Sequence, residues 1–143
     1  MKNENFVHTY KDLKVYKNAF DAAMEIFQMT KTFPTEERYS LIDQKRRSSR
    51  SVCSNIAEAW RKRRYQAAFI SKLSDAETEA CETQVWLQFS FACGYIGKEK
   101  LESLEDKYEH ILSQIVLMIN ESNKWIIKES PVRRYSETPV QKR

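Results

Sequence analysis

Glycine and proline occupy only Pro34, Gly94, Gly97, Pro131 and Pro139, so a chain of 143 residues has few places to stop being helical. Residues 35–93 and 98–130 contain neither. Within these stretches apolar residues recur every three and four positions, the spacing of one helical face. Four helices are predicted. The first opens behind Asp12 as N-cap and runs to about residue 31, with Leu13, Tyr16, Phe20, Ala23/Met24 and Phe27 on its core face. The second covers 36–64, entered through Pro34 and capped by Thr35. The third covers 66–93, with Phe69, Leu73, Ala76, Ala80, Leu87 and Phe91 inward and Gly94 as the residue that ends it. The fourth covers 98–129 and stops before Pro131, with Leu101, Leu104, Tyr108, Ile111, Ile115, Met118, Ser122 and Trp125 on its core face.

No turn-forming residue separates Glu58 from Ile70, so one continuous helix of roughly 58 residues, ~87 Å long, is also compatible with the pattern. A fold-back near Lys62–Tyr65 buries far more apolar surface and is the expected solution. The fold class is then all-α: an up-down four-helix bundle over 12–129, with an N-terminal arm at 1–11 and a basic tail at 130–143. At 143 residues the chain can bury most of the surface it exposes when unfolded, so it needs no metal or disulfide staple, and its 41% apolar residues are a globular share. Between Ile111 and Ile119 the apolar side chains point almost all round the fourth helix. A bundle buries one broad side of each member, so this segment predicts self-association.

Several function classes lack their residues. Cys53, Cys81 and Cys93 have no CxxC spacing and read as small hydrophobes. Helical bundles that hold paired metals use Glu-x-x-His, but Lys107 stands three before His110 and Asn5 three before His8. Neither glycine belongs to a phosphate-cradling loop, and no nucleophile–base pair stands out. The expectation is a protein that is not an enzyme and uses no cofactor or metal. Residues 1–10 lack the apolar run of a signal peptide, and nothing approaches the ~20 apolar residues of a membrane span, so a cytoplasmic protein is expected.

Charge is unevenly spread. Residues 36–65 hold nine Lys/Arg against four Asp/Glu, whereas 66–94 hold one Lys against four acids. On a wheel at ~100° per residue with Arg46 at zero, Arg46, Arg47, Arg50, Arg61 and Arg64 fall within an arc of about 0–100°. Ile42, Val52, Cys53, Ile56, Ala59 and Trp60 occupy another, at about −140 to −20°. Tyr39 falls in the arginine arc as a candidate aromatic platform. Guanidinium groups grip phosphate oxygens in bidentate fashion, so the arc predicts a phosphate-binding face, extended by Arg133 and Arg134 of the tail. The plainer reading is a solvated charge face whose arginines pair with acids of the third and fourth helices. Asn55 and Glu58 read either as a polar joint to another helix or as water-facing residues.

The stretch QKRRSSRSVCSNIAEAWRKR, followed by FISKLSDAETEACETQVWLQFSFACGYI, resembles the four-helix proteins encoded in 23S rRNA intervening sequences, sometimes labelled ribosomal-protein-like. YKDLKVYKNAF and TKTFPTEERYSLIDQ are similar to that family too, and the likeness spans about residues 10–128. Ala59 stands where the family often has glycine, and Tyr65 where it often has a serine-type cap. The resemblance implies a homopentameric ring and kinship with accessory proteins of diversity-generating retroelements, which bind nucleic acid and a reverse transcriptase. It implies no catalysis. The matching positions are Gln44, Arg46, Arg47, Asn55 and Glu58. The combined expectation is an oligomer that binds nucleic acid, with RNA preferred on the resemblance alone. The alternative is a scaffold ring that docks a protein partner such as a reverse transcriptase.

Overall fold

The computed structural model describes residues 6–128, and among these no strand occurs. The helices are α1 (Lys14–Thr30), α2 (Asp43–Arg61), α3 (Gln66–Ala92) and α4 (Lys98–Asn120). Side-chain pairs fix their directions. Asn18, early in α1, donates to Gln114, late in α4, at 3.0 Å, while Glu25, further along α1, meets Lys107 and Lys100 of early α4 at 2.6 and 3.0 Å. Ser48 meets Thr83 at 2.8 Å and Glu58 meets Lys72 at 2.8 Å, so α2 and α3 are antiparallel. Gln84 donates to Glu109 at 2.9 Å, and Gln88 to Glu105, on the α3–α4 seam. The order round the bundle is α1–α2–α3–α4, the up-down architecture the periodicity implies.

The links carry most of the differences from expectation. Asp12 does not cap α1. Its carboxylate instead accepts from the His8 and Thr9 amides at 2.9 and 3.1 Å, completing a capping box with Thr9 round a short 3-10 turn, Tyr10–Asp12. The second helix begins later than 36, because Thr35–Glu37 is a 3-10 turn and Arg38–Ile42 a single π turn that feeds α2. Thr35 makes no capping bond there; Pro34 holds the cap position in an extended conformation. The chain folds back at 62–65, with the Lys62 amide on Ala59 and the Tyr65 amide on Lys62. The fourth helix ends at Asn120 rather than 129. Asn120, Ser122 and Asn123 are weak helix formers, and the chain gains more by turning back. Ser122 is buried and accepts from Gln66 at 2.8 Å, Trp125 packs edge-on against Trp60, and the Ile127 amide donates to the Arg63 carbonyl at 2.9 Å.

Two core faces also differ. In α1 the buried residues are Val15, Ala19, Ala22, Ala23, Ile26 and Thr30, while Phe20 is 47% and Met24 43% exposed. Alanines let α1 approach its neighbours closely, and the larger stripe is displaced by roughly 100° to the helix flank. In α3 the last core position is Ser90, and Phe91 is largely outside, near the end of the bundle.

Gly94 ends α3 with φ 80°, its amide bonded to the Phe91 carbonyl and the Tyr95 amide to the Ser90 carbonyl, both at 2.9 Å. This is the paired C-terminal motif that a left-handed residue closes. No atom lies within 4 Å of where a Cβ would sit, so substitution strains the backbone alone. Gly94→Ala is expected to lower the unfolding free energy by roughly 1–2 kcal/mol, with an unchanged denaturant slope in urea titration.

Candidate nucleic-acid interface

Helix α2 lies between α1 and α3, and its arginines separate into two groups by what flanks them. Arg46 reaches α1: Nε donates to Thr30 Oγ1 at 2.7 Å, and the guanidinium lies 4.7 Å from the Phe27 ring centroid. Arg47 reaches α3, with Nη2 at 2.7 Å from Glu82 and 3.5 Å from Glu79. Burial pushes the Glu79 carboxyl above the usual carboxylate range, Arg47 pulling the other way. These two arginines act as braces between helices; the plainer charge-pairing reading describes Arg47, whereas Arg46 is held by a hydroxyl and a ring of α1 rather than by an acid.

Arg50, Arg61 and Arg64 are exposed, and among the described residues none of the three has an acidic partner within ion-pair distance. Arg50 leans over the Phe27 ring at 5.7 Å, Arg61 is the last residue of α2, and Arg64 sits in the turn beyond it. Lys62, also exposed, adds a fourth cation that the wheel argument did not select. Arg63 is structural: it lies 3.5 Å over the Trp60 ring and donates to the Trp60 carbonyl at 2.8 Å. Arg133 and Arg134 lie outside the described residues. Tyr39 is exposed, but the π turn shifts its register and its cation partner is Arg38, at 6.0 Å.

Of the two polar positions, Glu58 makes the joint to another helix and Asn55 does not. Asn55 Nδ2 donates to Ser51 of its own helix, to the carbonyl at 2.9 Å and the hydroxyl at 3.1 Å, and forms no bond to a neighbouring helix among the described residues. Glu58 does bridge helices, through Lys72 of α3. Gln44 accepts from Arg47 Nε at 3.4 Å and helps orient it.

Sequence reasoning missed two features. Lys45 is fully buried, its ammonium nitrogen donating to Ser90 Oγ and lying 4.7 Å from the Phe33 ring centroid. Burial lowers its pKa to about 7. The helical wheel held the signal, since Lys45 falls near −100°, amid the apolar arc. The second is a groove between α1 and α2, about 490 Å³ in volume, walled by Tyr10, Tyr16, Phe20 and Met24 and rimmed by Arg50 and Glu58. The all-apolar character of two adjoining sides of α1 pointed to it.

Among the described residues no cluster of three His, Cys, Asp or Glu side chains could hold a metal, and no helix is long and apolar enough to cross a membrane.

Four antiparallel helices, with a second helix braced by Arg46 and Arg47 and carrying free-standing cations beyond them, define an all-α bundle with a basic edge. The chain belongs to the 23S rRNA-intervening sequence protein family, whose model matches residues 11–117. Among solved structures it is similar to a protein from Bacteroides thetaiotaomicron described as having unknown function and belonging to the S23 ribosomal protein family. The two share 30% identity with a TM-score of 0.67, over 74% of this chain and 95% of the other. No curated protein matches the chain.

Proposed function

We propose that this protein is a non-catalytic RNA-binding bundle that works as a homo-oligomer, a ring of five subunits, and grips RNA phosphates through the edge formed by Arg50, Arg61 and Arg64. Arg133 and Arg134 of the tail add to that edge, while Arg46 and Arg47 hold the helix that presents it. The observation that carries the reading is the exposure of the first three arginines without an acid beside them among the described residues, in a family named for ribosomal RNA. A solvated, unneutralised guanidinium is available to a phosphate; one already paired, as Arg47 is, must first give up its partner. Exposed Val116 and Leu117 on α4 supply apolar surface for self-association. A ring repeats the basic edge once per subunit, so weak contacts combine by multivalency. No element here reads base edges, and little sequence preference is expected.

The test compares the parent with Arg50→Glu/Arg61→Glu/Arg64→Glu, both confirmed folded and of equal mass by light scattering, on a fluorescent RNA across a salt series. The triple variant is expected to bind at least about tenfold more weakly, with a salt slope reduced by roughly 0.7 log unit for each phosphate it no longer neutralises. Unchanged affinity and slope would remove the arginine edge from RNA binding and favour a ring that docks a protein. A mass of about 17 kDa at micromolar concentration would dismiss the oligomer.

A further inference from the structure

The groove between α1 and α2, rimmed by Arg50, is lined largely by aromatic and apolar side chains. Tyr10 and Tyr16 meet edge-on at 4.9 Å between centroids, and Tyr16 and Phe20 lie nearly parallel, with 6.1 Å between centroids and 29° between planes. These rings form a continuous aromatic wall with Phe20 half open to solvent. A second hollow of about 420 Å³ shares Tyr10, Ala57 and Glu58 with the first and is bordered by Arg61 and Lys62. The two join into one track along α2. Arg50 stands at one end and Arg61 with Lys62 at the other, ~16 Å apart along the helix axis. At ~3.4 Å per stacked nucleotide that length holds about five.

Charge along the track suits an anion. Glu58 is the one carboxylate on its wall among the described residues, and Lys72 pairs with it at 2.8 Å. Cys53 on the floor carries no charge, since burial pushes its thiol up to about 11. Of the acids of α3, Glu79 and Glu82 lie on the opposite flank with Arg47, while Asp75 lies 3.9 Å from Lys72, the cation that also pairs with Glu58.

We infer that this track is a single-strand RNA site, in which unpaired bases stack against Tyr10, Tyr16 and Phe20 while Arg50 and Arg61/Lys62 hold phosphates at its two ends. This deepens the RNA-binding reading above and rests on it. Aromatic side chains take up bases only when the base faces are free, so a duplex offers the wall nothing. Cations at both ends, with aromatic rings and the Lys72-paired Glu58 between them, match a strand whose charges lie along its backbone and whose flat faces carry none.

The experiment uses the full chain and an oligoadenylate carrying a fluorescent adenine analogue, alone and annealed to its complement. Phe20→Ala and the apolar but non-aromatic Phe20→Leu are compared with Phe20→Tyr, after thermal melting shows each to be folded. The parent is expected to prefer the single strand and to quench the analogue on binding. Phe20→Ala and Phe20→Leu should each weaken single-strand binding about tenfold with an unchanged salt slope, and Phe20→Tyr should restore it. Equal affinity for duplex and single strand, or unaltered binding by the alanine and leucine variants, overturns the track and leaves the arginine edge standing. Absence of RNA binding at low salt by the parent overturns both. A Phe20→Ala variant whose mass falls in light scattering shows instead that the groove is an interface between subunits, and also overturns the proposal.

Discussion

Lys45→Met is expected to raise the unfolding free energy at pH 7 and below by about 2–4 kcal/mol, because an apolar side chain of similar length removes the cost of burying an ionisable amine. The lysine is fully buried between the α1–α2 link and α3, without a carboxylate beside it among the described residues. A serine hydroxyl and a ring face do not replace water round an ammonium ion, which is why its pKa falls to about 7. Stability then depends on pH in a definite sense. Below about pH 7 the folded and unfolded chains both carry the proton, and the full penalty is present. Between about 7 and the ordinary lysine value of 10.5 the unfolded chain holds a proton that the folded chain has released. Stability therefore climbs with pH across that interval, and the methionine variant should lack the lysine's contribution to the climb. Ser90 does not need Lys45, since its hydroxyl donates to the Trp86 carbonyl at 2.9 Å. Urea titrations of both proteins at a series of pH values measure the effect; a variant less stable than the parent at neutral pH would show that the amine stabilises the fold.

Helix number, the fold-back at 62–65 and the role of Gly94 were legible in the sequence because each follows from local chemistry: period, breaker scarcity and a residue that tolerates positive φ. What was not legible depends on neighbours. In α1 the sequence offers two apolar sides, and the larger side chains looked like the core. The close approach that Ala19 and Ala22 permit settles the matter the other way, and leaves Tyr16 and Phe20 to wall a groove. The arginine arc of α2 has the same ambiguity. A wheel states that Arg46, Arg47 and Arg50 point to one side, but only the flanking helices show that Thr30 and Glu82 hold the first two while Arg50 remains outside. The burial of Lys45 was legible in its angular position, amid the apolar arc of α2. The early end of α4 was foreshadowed by Asn120, Ser122 and Asn123, yet the pull that ends it comes from Trp60 and Arg63, distant in sequence.

Tyr108 is expected to respond in opposite directions to two truncations. It is fully buried on the core face of α4 with Leu104, Ile111 and Ile115. Its hydroxyl has no hydrogen-bond partner among the described residues, and burial pushes its ionisation far above the ordinary tyrosine range. The ring is packed in the core, whereas the hydroxyl is buried without a protein partner among the described residues. Tyr108→Phe keeps the ring and removes an unsatisfied polar atom, which should stabilise the protein by about 1 kcal/mol. Tyr108→Ala leaves a ring-sized void that helices tied by the α1–α4 and α2–α3 pairs cannot close, at a cost of about 3–5 kcal/mol. The sign of the first change is the sharper test. Paired denaturant titrations at pH 7, where the phenol is neutral in both states, exclude any contribution from ionisation. If Tyr108→Phe unfolds at lower denaturant than the parent, the hydroxyl is hydrogen-bonded in solution and the bundle interior holds a polar contact at its centre.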